Sequence, residues 1–432
     1  MIVAMEPTIR HTRFANMSSI WTKLRRHGLS GAFRFVAGRL RERRQRSFFL
    51  RAAARDGNRI PERGFTLVGH FSSSWSLGKV MRDLACSLRT CDIPFQTFDV
   101  MRDGLVAPQD VDDLLTPRAS FRIRRFDHVI DGTGTFPELP GIRKSQLAFW
   151  EFETGLLEGW PGLRNEREIT AMSDFDVRVF RNELPRGTTV RKLLYPFRAV
   201  DAGTLPAPSE VRARHGLPAR GFAVFFNFDF SSSVFRKNPQ GALRAFATAF
   251  RNVPDAFLVF KTNRADDFPE KCDGLFALAR SEGVSDRFFL LDGFLPQRDV
   301  YALTNACDAY LSLHRGEGFG LGVAEAMSLG KPVVVSDCSS TTEFCVEGAA
   351  LRVPCSVRAV APDEIDHVSY HGVRTCFEPD LNWAAEALRR LYDDSATRRE
   401  LGEAARREIA GRFSPAAFKA SAEAFLSEPV KT

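Results

Sequence analysis

From Gly64 onward, short runs of apolar residues alternate with longer stretches whose apolar positions recur at helical spacing. The pattern predicts strands at Phe65–His70, Phe95–Val100 and His128–Asp131, a helix over Gly78–Thr90, and further strands at Gln146–Phe152, Ile169–Met172 and Val190–Tyr195. Strand, helix and strand in succession argue for a parallel sheet covered by helices on both faces. Periodicity fails over Ala199–Gly221, where Pro206, Pro208, Gly216 and Pro218 interrupt it. A second series then predicts strands Phe222–Asp229, Ala256–Lys261, Phe288–Leu291, Ala309–Leu313 and Pro332–Ser336, with helices Pro239–Arg251, Lys271–Glu282, Arg298–Asn305 and Gly320–Leu329 between them. Helical spacing resumes from Trp383 to Leu426.

The expected organisation is therefore α/β: a basic helical arm over residues 1–60, a Rossmann-like domain over 61–200, a linker over 201–220, a second Rossmann-like domain over 221–382, and a helical tail over 383–432 packing back across the domains. Two doubly wound halves leave a cleft between the C-terminal ends of their sheets, where such folds bind ligands.

Charge changes the picture at one end only. Residues 1–60 hold 14 Lys/Arg against three acids (Glu6, Glu42, Asp56), while the other 372 residues carry a net charge of −4. A duplex-binding surface spreads its cations over the folded body, so a nucleic-acid partner is not expected. Within residues 20–50, Ile20, Trp21, Leu24, Leu29, Phe33, Val36 and Leu40 lie at helical spacing among arginines. Two readings stand open: an arm that packs this stripe on the body, or an interfacial helix drawn to an anionic membrane surface. No apolar run approaches the roughly 18 residues of a membrane span. The eight cysteines form no C-x-x-C pair and are irregularly spaced, which favours buried reduced thiols over a disulfide framework or zinc site. The expected location is the cytoplasm, at the inner membrane face if the arm meets lipid.

The stretch RGEGFGLGVAEAMSLGKP, Arg315–Pro332, carries the most chemistry. Four glycines bare the backbone before a helix, and amides at a helix N-terminus form an anion site suited to phosphate. No Gly-Lys-Ser/Thr follows, so this is no Walker loop, and the spacing is not that of the dinucleotide fingerprint. Glu317 and Glu325 frame the loop. Carboxylates repel a phosphate but accept hydrogen bonds from hydroxyls, which sugars and ribose supply.

Glu317 and Glu325, with seven residues between them, resemble the E-x7-E signature of the retaining glycosyltransferases of family 4, which have the GT-B fold. DFSSSVFRKNPQGALRAFATAF resembles the start of that family's second domain; LSLHRGEGFG, KPVVVSD, the tail segment EPDLNWAAEALRRLYDDSATRRELG and GHFSSSWSLGKVMRDLACSL in the first domain agree as well. The likeness covers most of residues 64–427. It implies that Glu317 holds hydroxyls of the donor sugar, Glu325 the ribose, and Lys237 the diphosphate beside the amides of Gly318, Phe319, Gly320 and Leu321. Many relatives have an arginine where this chain has Ser231 and Ser232, so either Arg236 replaces that charge or the serine hydroxyls meet the phosphate. Arg315 and His314 adjoin the loop, Arg315 as a further donor contact. On the acceptor side the resemblance implies His70, Gly78 and Glu151, the last within a Trp-Glu segment. Lys79 is read as a solvated lysine on a strand–helix turn, Trp150 either as an acceptor platform or as core, and Asp174-Phe175-Asp176 as a helix start rather than a metal-binding loop.

The expectation is a retaining, metal-independent hexosyltransferase that uses no cofactor. It moves a sugar such as mannose from a nucleotide diphosphate sugar to a glycan or lipid-linked acceptor in cell-surface polysaccharide synthesis, and the resemblance implies front-face attack with the departing phosphate as base. Its rivals are a GT-B epimerase or phosphorylase and a noncatalytic protein that binds through its basic arm.

Overall fold

The computed structural model describes residues 40, 43–57, 59–73, 76–100, 111–117 and 119–427. Six parallel strands build the first sheet: β1 (Glu62–Gly69), β2 (Phe95–Asp99), β3 (Phe126–Asp131), β4 (Arg143–Leu147), β5 (Glu168–Ala171) and β6 (Thr189–Lys192), in the order β2-β1-β3-β4-β5-β6. The second sheet holds β7 (Phe222–Asp229), β8 (Ala256–Asn263), β9 (Phe288–Asp292), β10 (Ala309–Ser312), β11 (Val333–Ser336) and β12 (Leu351–Val353), in the order β12-β11-β10-β7-β8-β9. β7 is apolar on both faces from Phe222 to Phe226, as a strand covered by helices on both sides must be. The chain runs one way from β7 to β8 and β9 and returns to lay β10 on its other side. That reversal opens the crevice where α/β sheets take ligands.

β4 departs from the expected strand at 146–152. It ends at Leu147, and its residues Arg143, Lys144, Ser145 and Gln146 are buried although polar. Partners on or beside β5 make this tolerable: Arg143 pairs with Glu168 at 2.6 Å, Lys144 with Glu166 at 2.7 Å, and Ser145 with Thr170 at 2.5 Å. Residues 148–155 are consequently loop, free to face the second domain.

Between β12 and the tail, the chain makes an antiparallel pair apart from the main sheet, β13 (Cys355–Ala359) with β14 (Thr375–Pro379). Residues 360–374 between them reach the first domain, where Tyr370 meets Trp150 and Phe152 edge-on, with ring centroids 5.6 and 5.0 Å apart. Within 201–220, the helix Pro208–Arg214 sends Arg212 onto Asp308 and the carbonyl of Ala306. The tail forms three helices, Leu381–Asp393, Ser395–Arg412 and Pro415–Ser427. The last returns to the first domain, where Arg191 lies 3.8 Å over the Phe425 ring and Ser421 accepts from the Leu194 amide.

Of the arm, a helix over residues 43–56 is described. It buries Phe49 between Phe98 and Phe136, and Gln45 donates to the carbonyl of Val100. Leu40 is half exposed; Trp21, Leu24, Leu29, Phe33 and Val36 lie outside the described residues. No helix among the described residues is long and apolar enough to cross a membrane.

Candidate active site

After β10 the chain enters the glycine-rich loop and then the helix Leu321–Ser328. Gly320 has φ +87°, a left-handed turn that favours glycine. Gly316 and Gly318 let the loop press on the first domain: a side chain at Gly316 would collide with the carbonyl of Glu151, and one at Gly318 would stand 3.0 Å from Cβ of Phe149. Ser340 Oγ donates to the carbonyls of Glu317 and Gly318, both at 2.7 Å, while Ser339 Oγ accepts from the Glu317 amide.

The short helix Val234–Lys237 lies between two left-handed residues, Ser233 (φ +76°) and Asn238 (φ +53°). Asp366, from the segment between β13 and β14, accepts from Ser233 Oγ, the Val234 amide and Lys271. Asn238 donates to the carbonyl of Leu313. So anchored, the helix aims two cations at one carboxylate. Lys237 bonds Glu317 Oε1, and Arg236 Nη1 lies 3.2 Å from Oε2. Burial alone would raise the Glu317 carboxyl, yet the charges of Lys237 and Arg236 outweigh it and hold it at about 2. Arg236 is 5% exposed and also donates to the carbonyls of Gly316 and Ser232, while its Nε has no partner. The hydroxyls of Ser231 and Ser232 are engaged locally with Asp229.

Glu325, one turn into the helix, is also buried; its Oε1 accepts from Gln297 and Tyr301, each at 3.2 Å. Burial pushes this carboxyl up to about 7. Both glutamates open onto one cleft of about 500 Å³, with Ser232, Arg236, Lys237 and Gly318–Leu321 on the second-domain wall and Lys79, Phe149 and Glu151 on the first. Burial raises the Glu151 carboxyl; Arg236 stands 3.9 Å away, and the Tyr370 hydroxyl bonds it.

Other expected residues lie elsewhere. His70 and Gly78 do not line the cleft. Gly78 closes the strand–helix turn, where a Cβ would meet the carbonyls of Ser73 and His70 at 2.5 and 2.6 Å. The Arg315 guanidinium forks onto Glu378 at 2.8 and 2.9 Å rather than facing the cleft. His314 is fully buried between Ser312 and Thr341, and burial lowers it to about 4, so it is neutral at pH 7. Trp150 is core, its indole donating to the Thr154 carbonyl. Asp174-Phe175-Asp176 does start a helix, capped by Ser173, and Asp176 additionally accepts from the Trp150 amide and so braces the loop that carries Glu151. Lys79 is not solvated: it is buried against Asp83. An i,i+4 Lys–Asp pair on an amphipathic helix was the signal for that contact.

Residues 230–408 match the family model described as glycosyl transferases group 1. The matched stretch comprises most of the second domain and the first part of the helical tail. Over 110 residues the chain is 31% identical to the serotype-specific mannosyltransferase WbdA of Escherichia coli, a match that covers 25% of this chain and 13% of that protein. Among solved structures it resembles a glycosyltransferase from Rickettsia africae, with TM-score 0.60 and 11% identity over 86% of this chain and 99% of that one. HepE of Anabaena, solved with UDP and glucose, gives TM-score 0.58 and 14% identity over 85% of this chain and 100% of its own. WaaG, a glycosyltransferase involved in lipopolysaccharide biosynthesis, gives TM-score 0.52 and 15% identity over 84% and 100%. These likenesses are of fold: two Rossmann-like domains facing a cleft, the GT-B arrangement.

Proposed function

We propose that the second domain and its partner domain form a retaining glycosyltransferase that moves a hexose from a nucleotide diphosphate sugar to a glycan or lipid-linked acceptor in polysaccharide synthesis. The observation that carries the reading is the cluster of Glu317, Lys237 and Arg236 at the mouth of a glycine-rich helix start. A diphosphate entering there exchanges with Glu317 for the Lys237 ammonium, and Lys237 and the amides at the helix N-terminus balance the charge that grows on the leaving group. Glu317, left with Arg236, accepts from sugar hydroxyls, and Glu325 from the ribose. Glu151 faces the donor from the other wall, where the acceptor hydroxyl must enter. With leaving-group charge met in this way, turnover needs no divalent ion.

WbdA, a mannosyltransferase, and WaaG, of lipopolysaccharide biosynthesis, support mannose as the sugar and a surface polysaccharide as the destination. The work belongs at the inner face of the membrane, with the basic arm near anionic lipid. The test is release of nucleoside diphosphate from UDP- and GDP-sugars with and without a mannose-bearing glycan, in EDTA and in Mg²⁺. Release that requires the acceptor and ignores EDTA is expected. Release without acceptor would favour an epimerase or hydrolase, and loss in EDTA restored by Mg²⁺ would overturn the metal-free account.

A further inference from the structure

Lys79 stands in the first turn of the helix Ser76–Thr90 and is 8% exposed. Its Nζ donates to Asp83 Oδ2 at 2.5 Å and lies 3.8 Å from Glu325 Oε1, in the other domain. A buried ammonium is costly unless paired, and two carboxylates share this one. Gln297 and Tyr301 reach the same Oε1 from the second domain. Two donors from the second domain and one ammonium from the first thus converge on one oxygen. The domains are packed together at this place, since the Tyr195 and Phe319 rings stack with centroids 3.7 Å apart. The other groups bearing on Glu325 are Asp83, whose charge disfavours its ionisation, and the tyrosines Tyr195, Tyr301 and Tyr310.

We propose that Lys79 is a positioning residue for the donor ribose, lent by the first domain to the nucleotide half-site of the second. It aims Glu325 and offsets the like charge of Asp83, so the ribose contact is complete only where the first domain is docked. The inference rests on Glu325 being the ribose ligand. Geometry comes first: without Lys79, Asp83 and Glu325 face each other uncompensated and Glu325 keeps only second-domain donors. Ionisation follows, because burial raises Glu325 and Lys79 is the cation that opposes it.

The test is calorimetric titration of the full-length chain with UDP, GDP and their 2′,3′-dideoxy forms. Wild type is expected to prefer the ribose form. Lys79→Met should weaken that form about ten-fold, the scale of one lost contact to a charged group, leave the dideoxy form unchanged, and move the onset of the preference to higher pH. Lys79→Arg should restore most of it. Equal weakening of both forms with a lower melting temperature would reveal a merely structural lysine and overturn the proposal. An unchanged preference in Lys79→Met would do the same while leaving the donor site standing. Wild type binding a diphosphate without preference would remove Glu325 from the ribose and this inference with it. Should Lys79→Met fail to fold, Asp83→Asn supplies the second arm: it should extend the ribose preference to lower pH, and an unmoved pH profile would count against the proposal.

Discussion

Glu317 and Glu325 are the same residue type on one helix start, yet their surroundings drive them apart. Two cations hold Glu317 at about 2, while burial lifts Glu325 to about 7. Glu317 is thus a fixed charge and Glu325 a titrating one. Glu317→Gln should abolish most turnover yet spare nucleoside diphosphate binding, because the ribose and phosphate contacts remain; full activity in a steady-state assay would refute its role. For Glu325 the sign is set by the raised carboxyl. The folded chain holds the proton more tightly than the unfolded one, so its contribution to stability is full below about 4.5 and is lost as pH rises through about 7. A hydroxyl donates best to the ionised form. The ratio of affinities for a ribose nucleotide over its dideoxy form should therefore rise between about pH 6 and 8, and a flat ratio would contradict the assignment.

At the scale of elements, β14 and the strap that joins it to β13 place a second set of supports behind the site. Asp366 holds the start of the Lys237 helix and Glu378 holds Arg315. Asp366→Asn should cost about 2 kcal/mol, as a charged acceptor loses its bonds to Lys271 and the helix, and should lower turnover together with stability. Denaturant unfolding alongside kcat checks both. The alternating strands and the glycine-rich loop were legible because each is a local pattern: β7 reads as a continuous apolar run, and four glycines before a helix mean the same in most contexts. The strap was not, since β13 is short, half exposed and carries Arg358, so it has no apolar period to detect. β4 hid for the opposite reason, being polar and buried, its charges satisfied by residues some twenty positions away. Lys79 reads as solvated in the sequence because its burial is completed by the other domain. Trp150 was ambiguous until Tyr370 closed over it.

For the whole molecule, the loop with Gly316 and Gly318, the strap and the last tail helix all tie one domain to the other, so the cleft is a product of their docking. The arm contributes at its inner end, where Phe49 is fully buried. Phe49→Ala should cost about 3–5 kcal/mol. Removing residues 1–39 should abolish any sedimentation with anionic vesicles, whereas removing 1–56 should lower the melting temperature as well, because Phe49 goes with it; a shorter deletion that still sediments would contradict the lipid role of the arm. The donor site itself is tested most directly by calorimetric titration of UDP and GDP into the full-length protein and into Lys237→Ala. One nucleotide is predicted to bind with one-to-one stoichiometry, and Lys237→Ala to weaken it about ten- to a hundred-fold, as befits a lost charge-assisted contact. Failure of both nucleotides to bind, or equal affinity in the variant, would contradict the account.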